Sequence, residues 1–178
     1  EASDTGDILA ISSKAPGNAG KVEIFVRTSS RNDDSVNHSF SLVQTLTGVT
    51  SDGSTLNTEF GESMTMSKDG STLIIGCPGY DDSSAADSGA VYYYKWDADG
   101  DSTLTYTLQQ TLSAVDTQAN MRFGSSVDIN DSGTRLVIGA EKYANDREMR
   151  FDSGETTFDL QDTTVSESNV GSGGVYTA

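Results

Sequence analysis

The 178-residue sequence has one cysteine, one histidine, one tryptophan and two prolines, and few positive charges, with 11 Lys+Arg against 27 Asp+Glu. Each shortage excludes something. The single thiol, Cys77, cannot close an internal disulfide. At the end of an apolar run it reads as a buried, inert side chain, with an intermolecular bridge as the other reading. The single histidine, His38, supports no Ser-His-Asp or Cys-His arrangement and no zinc-ligand spacing. In a polar stretch it reads as a solvated loop residue. A net charge of −16 leaves no basic face for nucleic acid or for an anionic membrane surface. No run approaches the roughly 20 apolar residues of a membrane-spanning helix, so no membrane insertion is expected. No signal peptide is visible, and the start at Glu1 instead of Met points to a processed or trimmed chain.

What is present is periodic. Apolar residues make up only 34% of the chain, but they cluster in short runs between Ser, Thr, Asp and Gly, which indicates ordered strands joined by turns. The run Phe60–Cys77 returns as Phe123–Ala140, 63 positions later and without a gap. Both copies read as an aromatic-Gly start, an alternating strand, a polar Asp/Gly turn, and an apolar strand closing on Gly76 or Gly139. That is a hairpin signature, and a fixed period of this size marks a repeat architecture. A third alternating run, Gly89–Lys95, is matched by Gly20–Arg27 and by Gly173–Tyr176; a fourth, Leu108–Val115, echoes Leu42–Val49. Ile8–Ser12 resembles Leu73–Cys77, with residues 1–7 as a polar lead-in and 28–39 as a polar excursion. No window shows sustained helical spacing.

The expected fold is therefore all-β, built of propeller-type blades of four antiparallel strands and incomplete, with about two and a half blades in this chain. The divisions are 1–59, a degenerate partial repeat of three strands; 60–122, a complete blade; and 123–178, a partial repeat with an acidic insertion at 141–172. Two accounts of the incompleteness stay open. Either further blades belong to a longer protein, or open edges are completed by other copies of the chain. The insertion is either a functional excursion or a tolerated surface loop.

Phe-Gly-x-Ser, followed by Leu-[Ile/Val]-Ile-Gly-[Cys/Ala] and then Gly-[Ala/Gly]-Val-Tyr, resembles the FG-GAP repeat of integrin α-like β-propellers. Phe60, Gly61, Phe123 and Gly124 match its first half; Gly76 and Gly139 match its Gly-Ala-Pro half, the latter without the proline. The resemblance covers 60–178 well and 8–59 in degenerate form. It implies a non-enzymatic extracellular or cell-surface segment for adhesion or recognition, with a protein or glycan ligand. The alternative is a structural subunit of a filament or surface coat, with copies of itself as partners. A hydrolase or lyase on a propeller scaffold is a third reading, in which an acidic pair in 141–172 would act.

The resemblance also implies where calcium would bind, and the residues depart from it. The Asp-x-Asp-x-Asp-Gly loop of calcium-binding members is replaced by Ser67–Ser71 and Asn130–Thr134, each with one carboxylate, whereas calcium takes about six to eight oxygens. No metal or other cofactor is expected. The nearest substitute, Asp97, Asp99 and Asp101, resembles half an EF-hand loop but has Leu108 where the closing Glu would stand, so it reads as an acidic turn. Asn37 and Asn130 begin sequons for glycosylation, a modification of secreted proteins. Tyr92–Tyr94 and Trp96 read as packing between blades, with sugar stacking as the other reading.

Overall fold

The computed structural model describes residues 1–14, 20–32, 35–49, 53, 57–97 and 105–142. Among them there are nine strands and no helix. The first sheet holds β1 (Ile8–Ser13), β2 (Lys21–Asn32) and β3 (Ser35–Thr47) in that order. The second holds β4 (Met64–Met66), β5 (Thr72–Cys77), β6 (Ala90–Asp97) and β7 (Thr105–Leu112), again in chain order, and the third β8 (Phe123–Ile129) and β9 (Leu136–Ala140). Every strand pair is antiparallel. These are propeller-type blades, one complete and the others partial, as the repeat predicts. The expected strand at 173–176 and the insertion beyond residue 142 lie outside the described residues.

The sheets stack because the middle one is apolar on both faces. Alternation along β5 and β6 sends Leu73, Ile75, Cys77, Tyr92 and Tyr94 toward the first sheet, where they pack with Ile8, Ala10, Val22, Ile24 and Leu46. It sends Ile74, Val91 and Tyr93 the other way, against Phe123, Leu136 and Ile138. Each such buried aliphatic side chain is worth about 1.5–3 kcal/mol. The tyrosine row is therefore interior, and the sugar-stacking reading has no surface to work on. Tyr92 meets Phe60 edge-on, with ring centroids 5.2 Å apart, and its hydroxyl donates to the Val49 carbonyl at 2.6 Å. The Tyr106 hydroxyl donates to Gly70 O at 2.6 Å.

The last strands of the first two sheets are joined by a side chain that imitates a backbone. The Gln44 carboxamide accepts from Tyr106 N at 2.7 Å and donates to Tyr106 O at 2.9 Å, so β3 reads β7 as a neighbouring strand would. The register irregularity between Ile24 and Phe25 recurs at the matching step between Tyr93 and Tyr94. A bulge conserved between two blades gives both the same local bend.

Three expectations are corrected. Residues 1–7 fold back on β1 through a turn. Glu1 pairs with Ala10, Ala2 bridges Leu9, Ser3 N donates to Ile8 O at 3.1 Å, and Gly6 N to Ser3 O at 2.8 Å. The same two backbone bonds close Ser67–Thr72 and Asn130–Arg135. This sets Ser3 opposite Ser67, and Ile8 opposite Thr72, one place from the alignment by apolar residues; the polar turn, which has no hydrophobic signal, decides the register. Residues 28–39 continue β2 and β3 as a hairpin, with Thr28 opposite Ser39 and Ser29 opposite His38. This polar stretch carries no apolar period to detect. Phe60-Gly61 precedes β4 in a turn, whereas Phe123 opens β8.

Each aromatic-Gly step seats on a glycine of the preceding sheet. A Cβ at Gly20 would overlap the Phe60 carbonyl, and a Cβ at Gly89 the Phe123 carbonyl, at equivalent places in successive blades. Gly20→Ala is expected to lower unfolding stability by more than about 2 kcal/mol, since the obstacle is backbone that cannot yield. Urea denaturation of the full chain checks this; Gly53→Ala, where an added Cβ meets nothing within 4 Å and only the positive φ opposes it, should cost less.

Candidate functional site

The repeat begins earlier than its aromatic residue. Asn57 and Asn120 have φ of 56° and 62°, and Glu59 and Arg122 have φ of 55° and 58°; each pair lies 63 positions apart. For Glu and Arg this left-handed conformation costs on the order of 1 kcal/mol or more, and it persists only where the surroundings dictate it. Here they do. Glu62 N donates to Glu59 O at 3.0 Å and Gly79 N to Thr58 O at 3.1 Å. In the next blade Asn120, Arg122 and Phe123 donate in turn to the carbonyls of Ala86, Asp87 and Ser88. Each pre-aromatic segment is thus clamped by a loop that follows a second strand.

The clamp sets a row of charges across the loop ends of the three sheets. Lys14, at the end of β1, donates to Glu59 at 2.9 Å and to Glu62 at 3.4 Å. Arg122 Nη2 pairs with the other oxygen of Glu59, and its Nε donates to Glu141 at 2.6 Å. The signs alternate: Lys14, Glu59, Arg122, Glu141. Burial pushes the Glu59 carboxyl up, but the bonds and charges of Lys14 and Arg122 outweigh it, and the group is held below the usual carboxylate range. The Glu59 bond in turn raises Lys14 above its ordinary value.

Beside the row lies the loop 78–89, which carries Asp81, Asp82 and Asp87. Asp81 Oδ1 accepts from Asp87 N at 2.7 Å. Asp82 Oδ1 accepts from Ser83 Oγ at 3.0 Å and Ser84 N at 3.2 Å, and the Ser84 backbone bond holds its carboxyl low. These carboxylates shape the loop. Among the described residues, no three His, Cys, Asp or Glu side chains are grouped to hold a metal ion. In the turn where calcium-binding members carry their ligands, Asp69 Oδ1 accepts from Ser67 Oγ at 2.7 Å and Ser71 N at 2.9 Å, bonds that brace the turn.

Behind the row, the Cys77 thiol is fully buried and donates to Thr58 O at 3.0 Å. Burial pushes its pKa up to about 12, so it is a thiol and not a thiolate at any ordinary pH. The expectation of a buried thiol holds. His38 is exposed on β3, not in a loop.

The sequence-predicted residues are placed as follows. Phe60 and Phe123 are buried, each in one of the two cores. Gly61 and Gly124 have φ of 84° and 85°. Gly76 faces the Gly124 carbonyl, which accepts Ser63 Oγ at 2.8 Å; Gly139 faces Ser126, the equivalent serine of the next blade. Asn130 is exposed, and its carboxamide is engaged on both sides: Oδ1 accepts from Thr134 N and Arg135 N, and Nδ2 donates to Ser132 Oγ. Ser67 Oγ does the same for Thr72 N, and Ser3 Oγ for Ile8 N. Asn37 lies on β3 opposite Ser30. Asp97 ends β6, and Asp99 and Asp101 lie outside the described residues. Sequence reasoning missed Glu59, Arg122 and Lys14. The signal was one residue upstream of each Phe-Gly, at the same spacing and with opposite sign.

No helix of the described residues is long and apolar enough to cross a membrane. Residues 106–155 match the family model of the FG-GAP repeat. The match runs from Tyr106 in β7 through Phe123-Gly124 and the β8–β9 hairpin, so the chain carries an FG-GAP repeat. No curated protein matches the chain.

Two predictions follow from the row and the thiol behind it. Because Glu59 is held below its usual value in the folded state, its contribution is complete at neutral pH and is lost as pH falls through the carboxylate range. Glu59→Gln should cost about 1 kcal/mol at pH 7, and its deficit against the native chain should shrink between about pH 5 and 3 in urea titrations. Cys77 should resist thiol reagents at pH 8 in the folded chain and react fully in denaturant.

Proposed function

We propose that this chain is a segment of a non-enzymatic β-propeller that acts outside the cell as a recognition or adhesion platform, and that it binds a protein or glycan at the loop end carrying the Lys14–Glu59–Arg122–Glu141 row. The observation that carries the reading is that row, with the loop 78–89 beside it. Glu59 and Arg122 are held in costly left-handed conformations, and such strain gathers at binding sites. The 141–172 insertion departs from the same end, directly after β9. Loops held on a rigid sheet scaffold are where propellers and sandwiches place recognition.

Three further observations support the reading. FG-GAP repeats are typical of extracellular and surface proteins. The chain's only histidine lies on β3, not in the row, and its only thiol is buried beneath it. The excess of 16 negative charges suits a partner presenting basic or polar hydroxyl-rich surface, approached faster at low ionic strength.

The test is a glycan and extracellular-protein array probed with the full chain. Binding is expected, and Lys14→Gln with Glu141→Gln, at the two exposed ends of the row, should weaken it roughly tenfold while circular dichroism reports an unchanged fold. An array with no binder, or a reproducible turnover of any glycan, would overturn the proposal.

A further inference from the structure

The fold treats the asparagines of the two sequons differently. Asn130 opens the turn between β8 and β9, and its whole carboxamide is in use there. Oδ1 accepts from Thr134 N at 2.8 Å and Arg135 N at 2.7 Å; Nδ2 donates to Ser132 Oγ at 2.8 Å and to Thr134 Oγ1 at 3.2 Å. One of these acceptors is the sequon's own serine hydroxyl, and a sugar joined to Nδ2 would take the place of a hydrogen that the turn uses. Ser67 Oγ and Ser3 Oγ brace the equivalent turns of the other two sheets, so turn chemistry accounts for the asparagine. The turn is also tied to the packing. Leu136, just after it, is buried, and a Cβ on Gly133 would lie 2.9 Å from Thr72 Oγ1.

Asn37 stands apart. It pairs with Ser30 in the β2–β3 hairpin, past Val26, the last residue of β2 that faces β1. Four steps of about 3.3 Å set it about 13 Å beyond the end of that pairing. There β2 is paired with β3 and, among the described residues, with no other strand. His38, Ser39 and Phe40, which follow Asn37, are exposed, and the Thr28 hydroxyl meets Ser39 Oγ across the hairpin at 2.8 Å. A two-stranded ribbon is marginal in water by itself, so this end opens locally at low cost. Both sequons lie at the end of the sheets opposite the charged row, since β1 and β9 run from that end toward Lys14 and Glu141 and β2 runs back to it.

We propose that Asn37 is the N-glycan acceptor of this chain and that Asn130 is not, so that the sugar stands at the end of the sheets remote from the row. In the transfer the Asn37 amide nitrogen bonds to the anomeric carbon of a lipid-linked oligosaccharyl diphosphate. The bond from that carbon to the phosphate oxygen breaks, its electron pair leaves with the diphosphate, and the amide gives up one proton. An acceptor segment must leave its sheet to enter the transferring enzyme. The Asn37 hairpin does so by separating two strands, whereas the Asn130 turn would have to give up its bracing and its seat on Thr72. The inference rests on the extracellular reading, because this modification belongs to secreted proteins.

The test expresses the full chain behind a secretion signal in a eukaryotic host and collects it from cells and medium together. An amidase that releases N-glycans, used in heavy-oxygen water, converts each glycosylated asparagine to a labelled aspartate. Mass spectrometry should find the label at Asn37 and none at Asn130. Asn37→Gln and Ser39→Ala should each abolish the mobility shift that the amidase removes. Asn130→Ser, which installs the bracing hydroxyl of the other two turns, should leave that shift and the circular dichroism spectrum unchanged. Label at Asn130, or an Asn37 without glycan, overturns the proposal. Because the host supplies the compartment, an empty Asn37 there overturns this inference alone. Recovery of the chain from the cytosol of its own cells would overturn the extracellular reading instead.

Discussion

The structure depends on the absence of a side chain at one place in each of the first two sheets. Gly20 and Gly89 let the carbonyl of the following aromatic residue come to the backbone of the preceding blade, closer than any Cβ would allow. That approach carries the aromatic ring into the interface, where Phe60 reaches Tyr92 and Phe123 joins Val91 and Tyr93. The remaining apolar area follows from it, since β5 and β6 can bury both faces only when a sheet lies against each. Hydrogen bonds then fix register instead of driving the packing: Gln44 aligns the fourth strands, and the turn relay through Asp4, Lys68 and Asp131 aligns the opposite ends.

Most of this was legible because the apolar pattern repeats. The 63-residue spacing of Phe60 and Phe123 located two hairpins, and alternation through Tyr92–Tyr94 located a strand with two buried faces. Where the repeat is written in polar residues the reading failed. Ser3–Gly6 has the turn chemistry of Ser67–Gly70, yet Ser, Asp and Thr at a chain end also suit an unstructured lead-in. The stretch 28–39 is polar in sequence, so nothing in its hydrophobicity separates it from a loop. The charged row was invisible for another reason. Ion pairs between Lys14, Glu59, Arg122 and Glu141 join residues up to 63 positions apart, and composition shows only that such residues exist.

The polar chemistry of the described residues is largely turned inward on itself. Asp69, Asp82 and Asn130 brace turns, the buried tyrosines Tyr92 and Tyr106 bond to backbone carbonyls, and the cations of the row are paired. A scaffold of this kind presents shape and charge through its loops. Complementarity over an area is the mode of contact that the proposed recognition role requires.

Glu59 and Arg122 stand at the same position of successive repeats and carry opposite charge. Tandem repeats of near-identical sequence are prone to trade places while folding, because each unit can be mistaken for its neighbour. A negative charge in one copy and a positive one in the next labels the units. A blade docked out of turn would bring Lys14 against Arg122, like charge on like at a half-buried site, and lose the pairing that the correct order supplies. The alternating signs thereby favour the observed order of the sheets over an exchanged one.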